Sequence, residues 1–158
     1  MSDRVSRLLV VYQSRSGGTR RLVDAAVKGA VLALESGTGT LSVKHAFDAT
    51  PDDVLGASGV LIATPANFGY MSGAVKDFFE RVYHPCLDHT VGKPYAMIIK
   101  GDTDVEGAAS SIRRIVTGMK WREVLPPVLV VGEITPDHED EAHELGATLA
   151  AGIDAGIY

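Results

Sequence analysis

Four short apolar runs constrain the fold of this chain more than any other feature: Leu8 to Tyr12, Val60 to Ala63, Ala96 to Ile99 and Val128 to Val131. Each is continuous rather than alternating. A strand covered on both faces reads this way, so a buried parallel sheet is implied. A fifth run, Leu41 to Phe47, does alternate. It places Leu41, Val43 and Phe47 on one face, with Ser42 and Lys44 on the other. That pattern suits a half-exposed strand at a sheet edge.

Helical stripes lie between the runs. Leu22, Val23, Ala26, Val27, Ala30, Val31 and Leu34 repeat with helical spacing, as do Val75, Phe78, Phe79 and Val82. Ile112, Ile115, Val116 and Met119 form a third stripe; Ala142, Leu145, Leu149 and Ile153 form another. Thr50-Pro51-Asp52-Asp53 reads as the cap and first turn of a short helix before Gly56. Strand and helix therefore alternate. Right-handed crossovers leave few topologies for such a chain. Of the two common doubly wound orders, 3-2-1-4-5 and 2-1-3-4-5, the second puts the alternating strand at an edge. The expectation is a three-layer α/β sandwich with a five-stranded parallel sheet of order 2-1-3-4-5, one domain spanning 1–158.

Composition narrows the function. The net charge of -5 argues against a nucleic-acid binder, which needs a basic face, and against docking on an anionic membrane. The single cysteine, Cys86, forms no internal disulfide. The N-terminal stretch Met1-Ser2-Asp3-Arg4-Val5-Ser6-Arg7 carries charge and lacks a small-residue cleavage site, so it does not read as a signal peptide. No apolar run approaches the roughly 20 residues of a membrane span. A cytoplasmic location is expected.

In a doubly wound sheet, ligands gather beyond the carboxyl ends of the strands at the switch point, here the loops after strands one, three and four. The first is Ser14-Arg15-Ser16-Gly17-Gly18-Thr19. Its glycines let the backbone turn and point N–H groups inward. Its hydroxyls add donors, and the following helix adds its dipole. Together they make an anion site that needs no lysine; Arg15 and Arg20 are expected to face solvent. The loop lacks the Gly-Lys-Ser/Thr of a Walker A loop and the spacing of G-x-G-x-x-G, so a terminal phosphate monoester fits best. The bland alternative is a plain turn with a good helix cap.

The second loop is Thr64-Pro65-Ala66-Asn67-Phe68-Gly69-Tyr70-Met71-Ser72-Gly73, leading to a helix capped by Ser72. Phe68, Tyr70 and Met71 put large apolar groups where loops carry polar ones, and a flat aromatic ligand can stack there. Asn67 and the backbone offer hydrogen bonds to its polar edge. Alternatively, Phe68 and Tyr70 fold back as core or form a subunit interface. The third loop, Lys100 to Gly107, has Gly101 and Gly107 for close backbone approach and Asp102 and Thr103 as polar partners. It also reads as a solvated turn.

These loops, in this order, resemble those of the flavodoxin superfamily. Ser14, Ser16, Gly17 and Thr19 are similar to its hydroxyl-x-hydroxyl-Gly-x-Thr phosphate signature. Thr64 to Gly73, continuing through Lys76, Phe79 and Arg81, resembles the flavin-ring loop of its FMN-dependent NAD(P)H:quinone oxidoreductase branch, which includes the tryptophan-repressor-binding-protein type. The resemblance implies that Ser14, Arg15, Ser16, Gly17, Gly18 and Thr19 hold the FMN phosphate. Pro65, Ala66, Asn67, Phe68, Gly69 and Tyr70 would line one side of the isoalloxazine, and Gly101, Asp102 and Thr103 the other. It further implies NAD(P)H and a small electron acceptor as partners, with no side chain assigned as catalytic; a homo-oligomer stays open. The third loop has no aromatic and the net charge is mild for an electron carrier, which leans towards an open flavin face and a small acceptor such as a quinone. The alternatives are a one-electron carrier with a protein partner, and a flavin-free binding module.

Other clusters read blandly. Asp137 to Glu144 resembles a metal site, but His138 and His143 are five apart and diverge around a helix, and its acids suit a helix N-terminus. Cys86 reads as a partly buried thiol at a helix end. Arg113, Arg114 and Lys120 read as a solvated helix face.

Overall fold

The computed structural model describes residues 5–158; Met1 to Arg4, on which part of the signal-peptide argument rests, lie outside the described residues. The elements run β1 (Arg7–Tyr12), α1 (Gly18–Leu34), β2 (Thr40–His45), α2 (Pro51–Gly56), β3 (Gly59–Asn67), β4 (Tyr70–Met71), α3 (Gly73–Cys86), β5 (Pro94–Gly101), α4 (Glu106–Gly118), β6 (Arg122–Glu123), β7 (Val128–Val131) and α5 (Pro136–Asp154). The main sheet is parallel, in the order β2-β1-β3-β5, with β6 and β7 both on the far side of β5. The expected order therefore holds, with the fifth strand broken in two. Pro126 and Pro127 sit at the break, where they have no N–H to give a ladder. Arg113 pins the short piece by a forked pair of bonds to Glu123, at 2.7 and 2.9 Å. It is thus a structural clamp rather than the solvated residue expected from sequence.

Side-chain alternation builds the three layers. From β1, β3 and β5, the residues Leu9, Val11, Val60, Ile62, Met97 and Ile99 point towards α2, α3 and α4. Leu8, Val10, Leu61, Ala63, Ala96 and Ile98 point towards α1 and α5. Both faces are covered, which is why these strands read as unbroken apolar runs. The edge strand β2 pairs with β1 alone. It stops at His45, so Phe47 lies beyond it, largely exposed and packed on the His45 ring. The expected shared face of Leu41, Val43 and Phe47 does not form.

The expected caps are present. Thr50 closes a capping box with Asp53, and the Ser72 hydroxyl accepts from the Val75 amide at 3.3 Å. Thr135 and His138 form a capping box on α5, with Asp137 and Glu139 in its first turn. Cys86 ends α3, fully buried; burial pushes its thiol pKa up. Trp121 donates to the buried Thr90 hydroxyl at 2.8 Å and packs near Phe79. Among the described residues no helix is long and apolar enough to cross a membrane.

Candidate functional site

The three loops follow β1, β3 and β5, which are adjacent in the sheet, so the topology gathers them at one end of the molecule. In the first loop Gly17 has φ of +94°, a conformation that costs a glycine nothing. Its carbonyl accepts the Arg21 amide at 3.0 Å and starts α1. The Ser14 hydroxyl accepts from the amides of Gly17 and Arg20, each at 3.2 Å. Ser14 therefore organises the loop, a role sequence reasoning did not assign to it.

The amides of Ser16, Gly18 and Thr19 have no acceptor among the described residues. A helix leaves its first N–H groups unpaired, and here Ser14 takes up only that of Arg20, because Gly17 at the cap has no side chain. Thr19 is 2% exposed as a residue, and its hydroxyl has no hydrogen-bond partner among the described residues. At the root of the loop the Gln13 Oε1 is buried without a donor. Arg15 and Arg20 are exposed, as expected. Arg20 is nonetheless held: it donates to the Tyr12 hydroxyl, lies 4.9 Å from that ring's centre and pairs with Asp24 at 2.9 Å. These bonds raise its pKa, first through Asp24 and then through Tyr12.

The second loop is shorter than its sequence suggests. Thr64 to Asn67 continue β3 instead of starting a loop, because Ala66 and Asn67 pair with Met71 and Tyr70 of β4. Phe68 and Gly69 alone make the turn, with φ of +54° and +67°, the signature of a primed hairpin. Phe68 stands fully exposed at the tip and Tyr70 is exposed beside it, so neither folds back into the core; Met71 is buried. Thr64 anchors the hairpin from inside. Its hydroxyl donates to the Pro65 carbonyl at 2.8 Å and accepts from the Ser72 amide at 3.0 Å.

The third loop packs on the second. A Cβ on Gly101 would lie 2.9 Å from the Ala66 Cβ, and one on Gly69 would lie 3.1 Å from an Asp104 carboxylate oxygen. A Cβ on Gly107 would collide with the Gly69 carbonyl. Glycine is thus required for the two loops to touch. Asp104 accepts from the Gly107 amide at 2.9 Å and fixes the turn; Asp102 and Thr103 are exposed. Asp102 pairs with Lys100 at 3.2 Å.

Four participants escaped the sequence reading. Lys100, Gly132, Glu133 and Ile134 join Ser16, Gly17, Gly18 and Arg21 around a cleft of about 560 Å³ at the start of α1. The signal was present in the pattern: Lys100 continues β5 on the α1 side, in step with Ala96 and Ile98.

Unpaired amides at a helix start, an open cleft and a nearby ammonium suit an anion. A fully exposed aromatic on an anchored hairpin suits a flat ring. The donor set therefore fits a phosphorylated flavin. These features define an open α/β protein with a flavodoxin-like fold. Known proteins agree on the fold. A flavodoxin from the domain Archaea superposes with a TM-score of 0.80 at 19% identity, covering 93% of this chain and 98% of that one. A flavodoxin, WrbA-like protein from Agrobacterium tumefaciens gives 0.76 at 18% identity, over 94% and 97%.

In sequence, the chain is 35% identical over 79 residues to a flavodoxin of Aquifex aeolicus (strain VF5), covering 49% of this chain and 40% of that protein. It is 30% identical over 94 residues to an NAD(P)H dehydrogenase (quinone) of Acidithiobacillus ferrooxidans, covering 49% of this chain and 47% of that protein. The chain thus spans less than half the length of the curated relatives it matches. No protein-family model matches it.

Proposed function

We propose that residues 1–158 act as one FMN-binding unit that passes electrons from NAD(P)H to a small acceptor such as a quinone, in the cytoplasm. The observation that carries this reading is the convergence of uncapped first-turn amides on α1 with the exposed Phe68 hairpin. In it, the amides of Ser16, Gly18 and Thr19 hold the phosphate, with the Ser16 and Thr19 hydroxyls. The buried Gln13 Oε1 receives a ligand hydroxyl. Pro65 to Tyr70 line the ring on one side and Gly101 to Thr103 on the other. FMN, when bound, supplies an isoalloxazine that takes up hydride and releases electrons. The chain positions it, and the third loop sets no aromatic over the ring; no side chain need act as acid or base.

The 30% identity to an NAD(P)H dehydrogenase (quinone) supports this reading. The 35% identity to a flavodoxin supports a second, a one-electron carrier with a protein partner. Titration with FMN, read by quenching of flavin fluorescence, tests both together, and saturation at micromolar FMN is expected. Absence of binding overturns both and leaves a flavin-free module. NADH and NADPH consumption with a quinone then separates them, since a loaded protein inert to both nucleotides is a carrier.

A further inference from the structure

We infer that Lys100 gives this site its preference for a phosphate monoester over the same flavin without phosphate; the inference rests on the FMN reading above. Lys100 lies one residue from the end of β5, and strand alternation turns it towards α1 and α5. Its stem runs along the start of α1: a Cβ on Gly18 would sit 3.5 Å from both Lys100 Cδ and Cε. The lysine is held there, with its side chain only 23% exposed. An ammonium beside a helix N-terminus whose Gly18 and Thr19 amides lack an acceptor sets two positive features together, which repel unless an anion lies between them.

The present counter-charge is weak. Asp102 pairs with Lys100 at 3.2 Å, but its side chain is 92% exposed, so water screens the pair. The other charges around the cleft do not replace Lys100. Arg21 is engaged with Glu139 at 3.0 Å, and Glu133 repels an anion. A small rotation at the end of Lys100 exchanges Asp102 for a phosphate oxygen. The charge of the phosphate is attracted there, whereas an uncharged ribityl end gains nothing.

The test compares FMN with riboflavin on the full chain. Lys100→Met is expected to weaken FMN binding about tenfold at low salt, the size of one charge-assisted hydrogen bond partly screened. Riboflavin affinity should stay within about twofold on the same reasoning, and Lys100→Arg should keep most of the FMN affinity. Arg21→Met should act far less than Lys100→Met. Equal losses for both flavins, or an FMN loss in Arg21→Met but not in Lys100→Met, overturn the inference while leaving the FMN reading intact. The wild-type protein gives a check independent of any variant's folding. Screening shortens from about 30 Å at 0.01 M salt to about 3 Å at 1 M. FMN affinity must fall across that range more than riboflavin affinity, and parallel behaviour overturns the inference. A wild type that binds neither flavin overturns the FMN reading itself.

Discussion

Gly146→Ala should destabilise the protein, although in most helix interiors that substitution helps. Helices α1 and α5 cross at two glycines. A Cβ on Gly146 would overlap the Ala26 carbonyl oxygen and lie 2.6 Å from its carbon and 2.8 Å from its Cα. Opposite, a Cβ on Gly29 would lie 2.9 Å from the His143 carbonyl carbon. Carbon atoms ordinarily meet at about 3.5–4.0 Å, so the helices must part by about 1 Å. Backbone cannot rotate away as a side chain does. Overpacking costs about 1–3 kcal/mol, and this contact belongs at or beyond the upper end. Helix propensity returns about 1 kcal/mol. The net loss is about 2 kcal/mol, or about 4–8 °C in Tm for a protein of this size. FMN affinity should fall too, since α1 carries the phosphate loop. Calorimetry and denaturant titration measure the loss. Gly73→Ala is the control, because nothing lies within 4 Å of its added Cβ. A Gly146→Ala protein as stable as wild type, or more so, would refute the close crossing.

Three further outcomes follow from particular contacts. Thr64→Val keeps the volume but strands the buried Ser72 amide, costing about 1–3 kcal/mol, and should speed hydrogen exchange across the Phe68 hairpin. Ser16→Ala combined with Thr19→Val removes two hydroxyls from the phosphate loop and should weaken FMN binding by tenfold or more, with little change in Tm. Tyr95 is buried, and its hydroxyl lies 3.4 Å from Glu123; burial, then that carboxylate, raises its pKa well above the ordinary tyrosine range. The folded chain therefore keeps a proton that the unfolded chain loses, so Tyr95's contribution is complete below about pH 10 and declines above it. Urea unfolding between about pH 8 and 11 should show that decline, and Tyr95→Phe should flatten it.

Much of this fold was legible because its signals are local or periodic. The runs at Leu8, Val60, Ala96 and Val128 declare strands buried on both faces, and Thr50 and Ser72 announce helix starts. The alternation at Leu41 put β2 at the edge, although the same pattern wrongly extended to Phe47, where the strand had already ended. What stayed hidden depends on partners distant in sequence. Phe68-Gly69 lacks the Asn-Gly or Asp-Gly that signals a primed turn, so Thr64 to Asn67 read as loop until β4 was seen to pair with them. Gly29 and Gly146 disappear inside helical stripes, because only the crossing gives them a purpose. The positions of the three segments after β1, β3 and β5 were legible, although much of the second and the start of the third are strand. Ser14's service to its own backbone and the reach of Lys100 to Gly18 required the assembled sheet.

The central claim is that one flavin phosphate and one flavin ring meet at three loops. Amide chemical-shift mapping during an FMN titration tests it most directly. Saturable shifts are expected at Ser16, Gly18 and Thr19, at Asn67 to Gly69, and at Gly101 to Thr103. Riboflavin should reproduce the second and third groups more fully than the first. Shifts confined to another surface, or none at millimolar FMN, would contradict it.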